Sequence, residues 1–316
     1  MLAEIKPKNK KGQINMPFSW IFAIIVGVFI IFLAIYAATR VIDTGQQTTT
    51  AQTGQQIGVL LNPLETSFQE GQVTGLSIPV DTRINNTCGL PTSRDIFGSQ
   101  GISLYQKSFG QWSKTDTEAK FENKYIFSEE LIEGKNFIIF SKPFEFPFKV
   151  ADLVYLTSLN KKYCFIGPPN DIEDELSALQ PENIFLEDCP GDSINVCFGS
   201  QQVNCDINVN IGLDIVEKRG EVVWFEDDAL MYAAIFSDKE VYECQIQRLL
   251  SRTKELAFIY DTKQTSLGGE DCSPEVNVLS LVSSIEGISN SEELIFARNT
   301  VNELDSQNNN AECRLW

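Results

Sequence analysis

The chain has no histidine among its 316 residues. The commonest general base near neutral pH is therefore missing, and with it every zinc site that uses imidazole. No C-x2-C pair occurs either, so a four-cysteine zinc site has nothing to start from. Positive charge is scarce: 25 Lys and Arg stand against 43 Asp and Glu, a net charge of −18. The first sixteen residues hold Lys6, Lys8, Lys10 and Lys11 against Glu4, a local +3, which leaves −21 on residues 40–316. A domain this acidic repels phosphate backbones and anionic headgroups, which argues against nucleic acid as a partner. Long hydrophobic runs are absent too, with one exception near the N-terminus.

That exception is Trp20 to Ala38, WIFAIIVGVFIIFLAIYAA, nineteen residues without a charge. As a helix it spans roughly 28 Å, close to the bilayer hydrocarbon core. Residues 17–39 therefore read as a transmembrane helix, and residues 1–16 as a basic segment on its cytoplasmic side. Trp20 and Tyr36 fall near opposite ends, where rings prefer the headgroup level. A cleaved signal peptide is the competing reading, but its apolar core is ordinarily about 7–15 residues, and no A-x-A site follows here. The N-terminus is expected inside and the C-terminal part outside, at the cell membrane.

All eight cysteines lie beyond this run, an even number suited to disulfides in an oxidising compartment. Cys197 and Cys205 flank a Gly-Ser turn signal and are expected to close a hairpin. Cys164 and Cys189 are expected to clasp a short helix. Cys88, Cys244, Cys272 and Cys313 are left to pair among themselves in an undetermined order. Asn85-Asn86-Thr87 is a glycosylation sequon, with Asn85 the acceptor.

Residues 40–57 form a Thr/Gln-rich tether containing TGQQTTTAQTGQQ, unable to bury apolar surface. Residues 58–225 read as β-rich, with apolar runs at Asn136–Phe140, Leu153–Leu156 and Glu221–Phe225. Lys218-Arg219-Gly220 has the character of a tight hairpin turn. Asp171–Gln180 reads as the one helix of this part, acidic in its first turn. Residues 226–316 read as helical. Tyr242, Ile246, Leu249, Thr253, Leu256 and Tyr260 recur at helical spacing within a stretch from Asp227 or Asp228 towards Thr262. A second helix is expected to open at Ser273-Pro274 and a third at Asn290 or Ser291. The fold class expected is α+β: one transmembrane helix, a β-rich ectodomain and a C-terminal three-helix layer or bundle.

Four patterns bear on chemistry. Val41-Ile42-Asp43-Thr44-Gly45 spells an aspartic-protease triplet but lies where the apolar run gives way to the tether. Ser251-Arg252-Thr253-Lys254 matches S-x-x-K without the S-D-N and K-T-G that accompany it. The acidic clusters at 171–175 and 226–228 lack the alternating spacing of a calcium loop and sit at expected helix starts. In Lys142–Lys149, KPFEFPFK, the side chains of Phe144, Phe146 and Phe148 share one face of an extended segment. Exposed, that row is a partner surface; buried, it is core. No catalytic residue, cofactor or metal ligand emerges, and an enzyme is not expected.

The segment Lys10 to Phe18, KKGQINMPF, followed directly by the apolar run, resembles the class III signal of archaeal type IV pilins. The resemblance implies cleavage between Gly12 and Gln13 and self-assembly through the hydrophobic helix. It covers about thirty residues. The family's fifth mature residue is a glutamate thought to help subunits enter a filament; here it is Pro17. Read without the resemblance, Asn15 and Pro17 are ordinary helix-start residues. The remainder looks like archaeal single-pass surface proteins, a likeness that carries no activity. The expected function is a membrane-anchored structural or interaction protein with a disulfide-stabilised ectodomain. A cleaved pilin-like subunit and an extracytoplasmic ligand-binding or hydrolytic domain are the alternatives.

Overall fold

A computed structural model describes residues 19–38, 73–108, 110–199, 205–267 and 275–316. The tether, the Gly12-Gln13 junction, the Asp43 triplet, Ser273-Pro274 and Cys272 lie outside them. The chain divides into two compact units, Met1–Thr49 and Thr50–Trp316. In the first, Ser19–Ala38 (α1) forms a 20-residue helix long and apolar enough to cross a membrane. Trp20, Phe22, Phe29 and Phe32 all stand exposed along it. An uncovered apolar helix of this kind is unfavourable in water, so a lipid or protein environment must cover it.

The second unit holds two six-stranded sheets. The first comprises Val73–Gly89 (β1), Ser99–Ser108 (β2), Gln111–Phe121 (β3), Tyr125–Phe127 (β4), Leu131–Glu145 (β5) and Lys149–Ser158 (β6). Its order is β3-β2-β1-β5-β6-β4, antiparallel except where β4 runs parallel to β6. The second comprises Tyr163–Ile166 (β7), Ile184–Phe185 (β8), Ile194–Phe198 (β9), Ile207–Asn210 (β10), Ile215–Lys218 (β11) and Glu221–Trp224 (β12). Its order is β12-β11-β10-β9-β7-β8. The helix Asn170–Leu179 (α2) is the crossover between parallel β7 and β8, burying Ile172 and Leu176. Between β11 and β12, Lys218 pairs with Glu221, and the two loop residues Arg219 and Gly220 both have positive φ (55° and 79°). That is the backbone a two-residue hairpin needs, and glycine reaches it without a Cβ penalty.

The expected hairpin across Cys197 and Cys205 is not formed. β9 and β10 run parallel, with Asn208 beside Cys197. A Gly-Ser signal marks a turn but not whether the chain comes back alongside in the opposite sense.

The helical part begins inside the molecule. Asp228–Phe236 (α3) buries every residue from Ala229 to Phe236. Its sequence, DALMYAAIF, is apolar all round, which suits only a helix with protein on every side. It packs against β4, β5 and β6 of one sheet and β11 and β12 of the other. The Phe236 ring meets Phe140 and Tyr155 on one side and Tyr163 and Phe165 on the other. The stretch read as one long helix therefore breaks at Ser237, whose backbone is extended, and resumes as Lys239–Leu267 (α4). Along α4, Tyr242, Ile246, Leu249 and Thr253 are buried, as their spacing requires. Leu279–Ile285 (α5), a 3-10 turn at Ser291–Leu294 and Ile295–Asn310 (α6) complete the described chain. The fold is thus α+β with a β-rich middle and C-terminal helices.

The first sheet buries parts of both faces. Phe140 joins the core around α3, while Phe137 and Ile139 join a second cluster with Ile84, Ile102, Leu104 and Ile126. This second core exists because β4 comes back towards β1 and β2. The Gln100 carboxamide accepts from Ile126 N at 2.8 Å and donates to Ile126 O at 2.6 Å, as a neighbouring strand's peptide would. Asn86 Nδ2 donates to the same carbonyl at 3.1 Å and to Ser128 Oγ at 2.9 Å. Both side chains are fully buried, and unpaired each would cost about 1–3 kcal/mol.

Candidate functional site

One group of polar side chains converges around the N-terminal half of α4. Cys244 is disulfide-bonded to Cys88 at the end of β1. One turn on, Arg248 is fully buried without a carboxylate partner among the described residues. Its Nε donates to Phe97 O (3.1 Å) and Nη1 to Lys124 O and Gln245 Oε1 (both 2.8 Å). Nη2 donates to Phe121 O (3.3 Å) and Glu122 O (2.8 Å). Four backbone carbonyls and one amide thus satisfy all the guanidinium donors, and the plane lies over the Tyr125 ring at 4.8 Å. Burial pulls the Arg248 pKa below the usual guanidinium range, yet guanidinium stays charged throughout the physiological range. Arg248 therefore ties together the segment before β2, the β3–β4 turn and α4.

Those three segments wall an open cleft of about 660 Å³. Asp95, Phe97, Lys120, Phe121, Glu122 and Arg252 line it, with Ser99 and Asn123. Ser251 Oγ donates to Ile96 O, pinning the loop beside Asp95 to α4. Arg252 Nε donates to Val150 O at 2.7 Å. The Tyr125 hydroxyl is buried and lies within reach of the Arg252 side chain. Burial raises its pKa, with Arg248 and Arg252 opposing.

A second charged group surrounds the start of α3. Asp227 caps the helix by accepting from Leu230 N at 2.8 Å. Burial pushes the Asp227 pKa up to about 7; the Leu230 bond opposes that shift and the Asp228 charge adds to it. Lys142 bridges Glu175 (2.7 Å) and Asp228 (3.7 Å), and Arg298 bridges Asp214 (2.8 Å) and Glu226 (2.7 Å). The acidic clusters at 171–175 and 226–228 are thus spent on helix starts, a lysine and an arginine. Among the described residues no group of three or more carboxylate or cysteine side chains is placed to hold a metal ion.

The sites read from the sequence fall as follows. Phe144, Phe146 and Phe148 are all buried, so the aromatic row is core and not an exposed partner surface. Phe144 stacks on Phe146 at 5.9 Å, and Phe148 meets Tyr260 and Trp316. Cys164 is bonded to Cys189 and Cys197 to Cys205. Cys313 is disulfide-bonded as well. Asn85 is half-exposed in mid-β1, paired with Ser103 and Leu131. Its neighbours Ile84 and Asn86 point inward, so Asn85 faces away from the second core. Sequence reasoning did not find Gln100 or Arg248, because a lone Gln in a strand and a lone Arg in a helix ordinarily read as solvated. The available signal was Gln245 and Arg248 lying three apart, beside the apolar stripe of α4. Comparison with protein-family models, curated proteins and solved structures finds no match for this chain.

Proposed function

We propose that the chain is a membrane-anchored extracytoplasmic interaction protein, held by α1 with its N-terminus inside and its disulfide-bonded domain outside. One observation carries this: a helix with every large apolar side chain uncovered shares a chain with a domain that has no free cysteine among the described residues. The first feature needs a membrane and the second an oxidising compartment. The domain acts by binding and not by catalysis; the absence of histidine and the commitment of the acidic clusters to structural pairs support this.

The test is the intact mass of the protein extracted from its native membrane, before and after reduction and alkylation. A retained N-terminus with four disulfides is expected. Free thiols throughout would sink the outward orientation. Loss of residues 1–12 would favour the pilin-like subunit suggested by Lys10–Phe18, and loss of α1 itself would mean a secreted domain.

A further inference from the structure

We infer that the cleft beside α4 binds a small zwitterion of the amino-acid or short-peptide class. Its volume of about 660 Å³ lies within the usual roughly 300–1,000 Å³ of small-molecule sites. Its lining combines two cations (Lys120 and Arg252), two carboxylates (Asp95 and Glu122) and two phenyl rings (Phe97 and Phe121). None of the four charged side chains forms an ion pair with the described residues, although Arg83, Lys142, Lys162, Arg219 and Arg298 elsewhere do. Charges of both signs left unpaired in one cleft suit a ligand carrying both signs. A net anion would meet Asp95 and Glu122, and a net cation would meet Lys120 and Arg252.

The arrangement at Arg252 makes it the carboxylate receptor. Nε is committed to Val150 O, which fixes the guanidinium plane. Beside the Tyr125 hydroxyl, the remaining guanidinium donors form a fork whose spacing matches a carboxylate. The walls are set beforehand. Arg248 clamps the carbonyls of Phe97, Phe121 and Glu122, and Cys88–Cys244 holds α4 to β1. Binding therefore orders few groups, which favours affinity for a small ligand. This inference is independent of membrane orientation.

Titration calorimetry on the detergent-extracted full chain tests it with four probes: L-phenylalanine, N-acetyl-L-phenylalanine, L-phenylalanine amide and triphenylalanine. The expected result is tightest binding by a probe with both charges, with single-charge probes weaker by about tenfold or more. Free phenylalanine binding best identifies an amino-acid site, and triphenylalanine binding best identifies a peptide site. Arg252→Gln should weaken the zwitterion and the acetylated probe while leaving the amide unchanged. Glu122→Gln, at an exposed turn, should do the reverse for the amide. No binding by any probe at millimolar concentration overturns the inference. So does binding that neither variant alters, with fold checked by circular dichroism.

Discussion

Replacing Cys88 and Cys244 with serine opens the largest covalent loop described in the molecule, a separation of 156 residues. Loop-closure entropy puts the stabilisation from such a crosslink at about 5 kcal/mol. The bonds Cys164–Cys189 and Cys197–Cys205, with separations of 25 and 8, lie inside the loop and shorten its free length. Because the dependence is logarithmic, that lowers the figure by only about 0.2 kcal/mol. The same reasoning gives about 2.5 kcal/mol for Cys197–Cys205 alone. The two double variants should therefore differ by roughly 2 kcal/mol, a large share of a total that is ordinarily about 5–15 kcal/mol. The native state of C88S/C244S should persist, because Gln245, Arg248 and Arg252 still fasten α4 to the rest. The assay is urea unfolding followed by far-UV circular dichroism on the oxidised full chain. C88S/C244S should show the lower midpoint and the steeper slope, since its unfolded chain exposes more surface. Equal losses for the two pairs would refute the chain-entropy reasoning.

Two further outcomes follow from buried groups. Arg248→Leu strips donors from four carbonyls and the Gln245 amide at once, and should cost on the order of 3–5 kcal/mol by urea denaturation; a neutral result would mean those carbonyls find other donors. Asp227 holds its proton more tightly folded (about 7) than unfolded (about 3.8), so it makes stability fall as pH rises from about 4 to about 7. Asp227→Asn keeps an oxygen for Leu230 N and should flatten that slope in pH-dependent melting curves, with the variant gaining on the native protein at pH 8.

The legible parts of the fold were those with a local signal. The Arg219-Gly220 turn, the α2 helix and the apolar α1 each announce themselves within ten to twenty residues of sequence. α3 did not, because a helix surrounded by protein has no polar side and hence no period. It was absorbed into the amphipathic pattern of α4. The parallel run of β9 and β10 was hidden for a related reason: strand sense is decided by partners distant in sequence. The cleft was the least visible feature. Asp95, Lys120 and Arg252 become neighbours only through sheet pairing and the Arg248 clamp. The phenylalanine row did stand out, but alternation shows only that residues share a face; burial decided that the face is interior.

The Cys88–Cys244 bond also determines how the domain answers a mechanical pull. With α1 as the proposed anchor, tension on the N-terminal side reaches the first described strand at Val73 and travels along β1. At Cys88 it passes through sulfur directly into α4, so for any force resisted at or beyond α4 the chain between the two cysteines is bypassed. The backbone of β2 to β12 and α3 then carries no tension, and the load falls on β1, the strand that joins β2 to β5. The cleft walls built from residues 95–99 and 120–123 belong to that bypassed chain, whereas Arg252 lies beyond Cys244, so the disulfide divides the lining of the cleft between an unloaded loop and a loaded helix.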